Sequence, residues 1–130
     1  MKFFSSPLAE SMKKSRKLYR EKRFIINYPA ENLTENEKKK KALSGETLLV
    51  QGIIDCYFCE ADGIVLIDYK NVKLIPGSTE ADIAKRYCRQ IDVYRNALEA
   101  AEGRKVKEAY LYLFDLKKFI KIPRKVINKC

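Results

Sequence analysis

Two kinds of hydrophobic repeat run along this chain. Residues Thr47–Glu60 form a long apolar-rich stretch without helical spacing and read as the strongest strand. Ala61-Asp62-Gly63 has turn chemistry, and residues 64–70 read as the strand returning from it. Further on, Ile83, Tyr87, Ile91, Tyr94 and Leu98 recur at spacings of three and four, the signature of a helix with one buried stripe. Pro76-Gly77 breaks the chain ahead of it, Ser78 or Thr79 can cap it, and Gly103 suits the residue just past its end, so the pattern predicts a helix over Glu80–Glu102. Residues 108–114 read as another strand, with 119–122 pairing to it through a turn at 115–118. On the N-terminal side, residues 8–22 read as a basic helix begun by Ser5-Ser6-Pro7, with a narrow stripe of Leu8, Met12, Ser15 and Tyr19. A short strand at 24–27 follows, then a polar loop over 29–45 with a helical turn near 35–41. A long helix between two strand regions predicts an α/β (α+β) domain with a mixed central β-sheet flanked by helices.

Composition narrows the class. The chain has 130 residues, which suits one domain, 1–130, around a single core. Apolar residues make up 46% and charged residues 34%, which excludes a disordered tail and describes a soluble domain. No apolar run approaches the ~18 residues that span a membrane. The first ten residues lack the apolar centre of a signal peptide, and basic residues follow them rather than precede them. A cytoplasmic location is expected. The net charge of +10 gathers at 13–23, 38–41 and 117–129. Such a balance suits a polyanion, nucleic acid first, although solvated lysines also serve solubility.

Cys56 and Cys59 have a CxxC spacing, and Cys88 and Cys130 complete the set. Residues three apart on a strand point to opposite faces, and the chain has no histidine, so a zinc or iron–sulfur site is not expected. Reduced, partly buried thiols are the expectation.

The chemistry centres on the 47–70 hairpin. Both strands carry an aspartate after an apolar run, Asp55 and Asp68, and Lys70 follows two positions later. A charge at such a place is costly without a partner or a metal. With a loop of two or three residues, Asp55 falls opposite a residue between 68 and 70, where facing Cβ atoms are about 5 Å apart. Asp68 and Lys70 share a face because they are two apart. The hairpin alone therefore gathers Asp55, Asp68 and Lys70, which is either a structural ion network or a centre for a divalent cation and an activated water. Gln90 and Tyr94 are one turn apart on the helix stripe, where a glutamine is more often a satisfied core amide than a site residue.

Four stretches then resemble a known family. Tyr19-Arg20-Glu21-Lys22-Arg23-Phe24 is similar to its "REKPF" strand, with Arg23 where proline is usual. Val50-Gln51-Gly52-Ile53-Ile54-Asp55 is similar to its "VQGIID" strand, and Ile67-Asp68-Tyr69-Lys70 to its "DYK" strand. Tyr87, Gln90 and Tyr94 match a helix motif Y-x-x-Q-x-x-x-Y, and 108–113 resemble the strand that follows. The chain thus resembles the RecB-like branch of the PD-(D/E)xK nucleases, most of all the C-terminal nuclease domain of the AddA family of helicase–nuclease subunits. That resemblance implies a restriction-endonuclease-like core and an Mg²⁺-dependent DNA exonuclease (Mn²⁺ able to substitute) acting in double-strand-break repair and recombination. It implies that Asp55, Asp68 and the Tyr69 backbone carbonyl are metal ligands, and that Lys70 handles the attacking water and developing charge. Gln90, Tyr94 and Tyr87 would hold substrate or the catalytic strands, with Glu21 in a supporting role, as a strand-edge ion pair would also explain. The implied partners are single-stranded DNA ends, without sequence preference, and a second helicase–nuclease subunit, with no membrane. The chain departs from the family in two places. Asn71-Val72 stands where Thr-Asp is usual, and the histidine ligand of an earlier helix has no counterpart. The expectation is a piece of a longer helicase–nuclease; ATP would serve only the parent's helicase domain, because no glycine-rich phosphate loop is present. The alternative is a catalytically incomplete nuclease fold that grips DNA or a partner subunit.

Overall fold

A computed structural model describes residues 18–34, 36–73 and 75–124. Five strands form one sheet in the order β1-β2-β3-β4-β5. They are β1 (Leu18–Pro29), β2 (Thr47–Glu60), β3 (Gly63–Lys70), β4 (Val106–Leu113) and β5 (Lys118–Lys121). A 3₁₀ turn (Ala30–Leu33) and the short helix α1 (Glu37–Ala42) connect β1 to β2, and the long helix α2 (Glu80–Glu102) connects β3 to β4. The sheet is mixed: β3 and β4 are parallel and the other pairings antiparallel. A parallel pair needs a crossover, and α2 supplies it. The expected α/β core, a mixed sheet flanked by helices, is the architecture found.

The ends of α2 follow from local chemistry. Thr79 accepts the Asp82 N–H and Asp82 returns a bond to the Thr79 N–H, a capping box at the predicted start. Gly103 ends the helix in the left-handed region at φ 66°. Between them Ile83, Ile91, Ala97 and Leu98 pack on Ile54, Leu66, Leu111 and Leu113 of the sheet. Each such side chain, fully buried, contributes roughly 1.5–3 kcal/mol. A second cluster on the opposite face joins Cys56, Phe58, Val65, Ile67 and Tyr112.

The N-terminal helix expected over 8–22 is corrected in part: Leu18 to Lys22 belong to β1, and residues 8–17 lie outside the described residues. Leu18, Tyr19 and Arg20 pair with Phe58, Tyr57 and Cys56. The far end of β2 offers a ladder there, and tertiary pairing overrides the helical spacing. The strand expected at 24–27 is therefore twelve residues long.

Pairing lengths create the feature that matters for function. β1 accompanies β2 from Pro29↔Thr47 to Leu18↔Phe58, whereas β3 pairs with β2 only from Cys56↔Ile67 to Glu60↔Gly63. The sheet therefore forks beyond Cys56 and Ile67. One prong is the β1–β2 arm and the other is the C-terminal end of β3 beside β4. The Tyr28 hydroxyl, fully buried, fastens the arm to α2 by donating to the Asp92 carboxylate, which also accepts from the Asn96 amide at 3.3 Å.

Candidate active site

Asp55 and Asp68 are the first residues past the last β2–β3 pair, so they face each other where the fork opens. Asp55 is half-buried and its Oδ2 accepts the backbone N–H of Tyr69 at 2.9 Å. A side chain has replaced the neighbouring strand as the acceptor of that donor. Asp68 is 2% exposed, and the Lys70 ammonium lies 3.0 Å from its Oδ2. The ammonium is out of line for a hydrogen bond, so Asp68 Oδ2 is buried without one. Burial first, and then the hydrogen bond with Asp55, lift Asp68 from the ordinary 3.8 to about 7; Lys70 opposes both.

The helix supplies the third wall. Lys70 Nζ sits 4.7 Å from the centre of the Tyr87 ring, which also carries Arg86 at 5.3 Å. Gln90 Nε2 donates to the Tyr94 hydroxyl at 3.1 Å, leaving Gln90 Oε1 buried without a hydrogen bond. Burial, then the negative charges of Asp68 and Asp55, push the Tyr94 hydroxyl up to about 12. Tyr94 therefore looks onto the carboxylate pair from α2. Tyr69 lies on the other face of the sheet against Tyr112 and Phe114, so its side chain is turned away from the helix.

The fold thus brings together Asp55, Asp68, Lys70, Tyr87, Gln90 and Tyr94. Glu21 lies opposite Asp55 in register, exposed, on the outer strand. Two residues that sequence reasoning left aside support this wall. A Cβ on Gly52 would fall 3.0 Å from the Phe24 ring, and Phe24 in turn meets Tyr94 edge to face at 5.6 Å. A glycine inside a strand signals such a close approach, and Gly52 carried that signal.

The cysteines do not converge on a metal. Cys56 lies in the outer cluster and Cys59 against the helix-side cluster, as strand alternation requires. Burial pushes the Cys56 thiol up. Cys88 is disulfide-bonded, which corrects the expectation of reduced thiols throughout; such a pairing depends on approach in space, which spacing does not reveal. Among the described residues, no group of three or more His, Cys, Asp or Glu side chains could hold a metal ion. No helix among them is long and apolar enough to cross a membrane.

The fold and site together define an α/β domain with an acidic pair and a lysine at a fork in a mixed sheet. Comparison with known proteins narrows this class. The chain is 47% identical over 126 residues to AddA, the larger-lettered name for the first subunit of the ATP-dependent helicase/nuclease, from Alkaliphilus oremlandii, covering 94% of this chain and 10% of that protein. It is 48% identical over 113 residues to the protein of the same description from Acetivibrio thermocellus, covering 87% and 9%. Against that of Clostridium novyi it is 42% identical over 114 residues, covering 88% and 9%. The chain is homologous over most of its length to the AddA subunit of ATP-dependent helicase/nucleases, and it spans about a tenth of the length of these relatives. No protein-family model matches it.

Proposed function

We propose that this chain is the nuclease domain of a longer ATP-dependent helicase–nuclease and hydrolyses DNA phosphodiesters with Mg²⁺, for which Mn²⁺ can substitute. The observation that carries the reading is the meeting of Asp55, Asp68 and Lys70 at the fork, within a chain homologous to a helicase/nuclease subunit.

The residues suit a hard divalent cation. Their donors are carboxylate oxygens, and one of them, Asp68 Oδ2, is buried without a hydrogen bond. Asp68 held near 7 means that a proton takes up the charge at neutral pH, a role that a cation would assume. Asp55 and Asp68 would hold it. The Tyr69 carbonyl is the third candidate, because its N–H points to Asp55 and an extended residue turns both groups to one edge. A bound cation would polarise the phosphate and make a coordinated water more acidic. Lys70 stabilises charge developing on phosphorus, from a position fixed between Asp68 and the Tyr87 ring. Tyr94 and Gln90 hold the helix side of the site and orient the substrate. DNA is bound through its backbone without reading bases, preferably as single-stranded ends. The partner is a second helicase–nuclease subunit, and ATP is used outside this domain.

A second reading has its own support. The described residues offer two carboxylates at the site rather than three metal-ligating side chains. A chain with this incomplete set would bind DNA, or a partner subunit, without cutting. Cleavage of end-labelled single-stranded DNA in Mg²⁺ or Mn²⁺, with Asp68→Ala and Lys70→Ala beside the unaltered chain, separates the two. We expect cation-dependent cleavage that falls at least about a hundredfold in both variants. Salt-sensitive binding with no cleavage, in this chain and in the longer polypeptide, would favour the binding module.

A further inference from the structure

The strand alternation of the arm reverses at one level, and it does so in both strands at once. On β2, Ile54 packs on the helix side while Leu49, Gln51 and Ile53 are exposed on the other face. Beyond Asp55 the order is inverted: Cys56 and Phe58 enter the outer cluster, and Tyr57 and Cys59 face the helix side. On β1, Phe24 and Ile26 face the helix side. Beyond Glu21, Leu18 joins the outer cluster and Tyr19 stacks on the helix-side Tyr57, with ring centres 4.7 Å apart. The register does not shift, since Arg20 pairs with Cys56 and Lys22 with Ile54. Only the intervening Glu21 and Asp55, opposite each other, drop out of the ladder.

Glu21 has φ 51°, in the left-handed region that a residue with a Cβ rarely enters, least of all within a strand. No glycine or asparagine stands there to ease it. Such an outlier persists only where its surroundings hold it, and here it lies directly across from a site carboxylate. With regular alternation, Asp55 would continue the exposed row of Leu49, Gln51 and Ile53 on the face away from α2. Instead its carboxylate turns along the sheet to the Tyr69 N–H, beside Asp68.

We infer that Glu21 is a positioning residue whose left-handed backbone, rather than its carboxylate, reverses the arm and swings Asp55 into line with Asp68. Its relevance to catalysis rests on the proposed nuclease reading, but the geometry does not. The outer strand thereby sets the inner strand's ligand. The supporting role expected for Glu21 becomes one of main-chain conformation.

The test is amide hydrogen exchange at Tyr69 in the whole chain, because that N–H is given to Asp55 Oδ2 and so reads the carboxylate's orientation. The Ile64 N–H, bonded to the Lys105 carbonyl, serves as a control for global opening. Glu21→Gly and Glu21→Asn accept the left-handed region, Glu21→Gln removes only the charge, and Glu21→Val resists the conformation. We expect Tyr69 protection within about threefold of the unaltered chain for Gly, Asn and Gln. We expect at least about tenfold faster exchange for Val, with Ile64 little changed. Mn²⁺ binding, followed by water-proton relaxation, should follow the same order. Loss of Tyr69 protection in the Gln or Gly variant would overturn the inference, as would full protection in Val. If Val does not fold, the Gly and Gln variants still decide. If the unaltered chain binds no Mn²⁺ while Tyr69 keeps the expected order, the nuclease reading fails and the positioning role stands.

Discussion

Asp68 is where burial and function pull against each other. Its pKa is lifted to about 7 because burial and Asp55 both disfavour its charge. Below about pH 4 the group is protonated in both folded and unfolded chains. Between about pH 4 and pH 7 the unfolded chain has released the proton while the folded chain keeps it. The folded state then binds more protons, so this group's contribution to stability declines as pH rises and is gone above its folded pKa. At roughly 1.4 kcal/mol per pKa unit, the loss has an upper bound of about 4 kcal/mol. In chelator, urea denaturation from pH 5 to 8 should therefore show falling stability, and Asp68→Asn should flatten the slope and be the more stable protein at pH 8. Mg²⁺ should restore the unaltered chain and leave Asp68→Asn unmoved, since a cation competes with the proton for the same oxygens. Equal slopes with and without the substitution would mean that Asp68 is charged when folded.

Among the elements, the arm and α2 form the site by leaning on each other. Phe24 reaches Tyr94 only because Gly52 leaves room beneath its ring. Gly52→Ala places a methyl 3.0 Å from that ring. The ring is wedged against Tyr94 and cannot withdraw freely, so a cost of about 1–3 kcal/mol is expected. Near-UV circular dichroism should change along with the denaturation midpoint, and an unchanged spectrum at full stability would show that Phe24 has slack. How much of this was legible in the sequence depends on what each residue must touch. Thr47–Glu60 and Glu80–Glu102 were readable to the residue, because the capping Thr79, Gly103 and the turn at 61–62 are local signals. The facing of Asp55 and Asp68 was readable because a two-residue turn fixes the register from Glu60↔Gly63 onward. The start of β1 was not, because Leu18 to Lys22 become a strand only through Cys56, Tyr57 and Phe58, more than thirty positions later. The left-handed Glu21 was not either, since nothing in a glutamate announces that backbone.

For the molecule as a whole, the distribution of its charge matters more than the total. Among the described residues Lys107, Lys118, Lys121 and Arg124 are held in ion pairs with carboxylates. Lys85 and Arg86 are exposed on α2, in no ion pair there, and Arg86 lies over the same Tyr87 ring as Lys70. A nucleic-acid backbone approaching the fork would meet these two cations as it reaches the carboxylate pair, and they offset the repulsion that two aspartates exert on phosphate. Binding of single-stranded DNA should therefore weaken with salt along a straight line in logarithmic coordinates, steeper by about 0.7 for each phosphate neutralised. Replacing Lys85 and Arg86 together with glutamine should weaken binding and make that slope shallower by roughly one to one and a half, with the melting temperature unchanged because neither side chain is buried. Lys107→Gln provides the contrast: its ammonium is occupied by Glu60 and Asp62, so the slope should hold. Fluorescence anisotropy in chelator, from about 50 to 200 mM salt, measures both without cleavage intervening. A slope unmoved by the Lys85 and Arg86 substitutions would place the DNA path away from α2, along the exposed arm, where Arg20 and Arg23 stand.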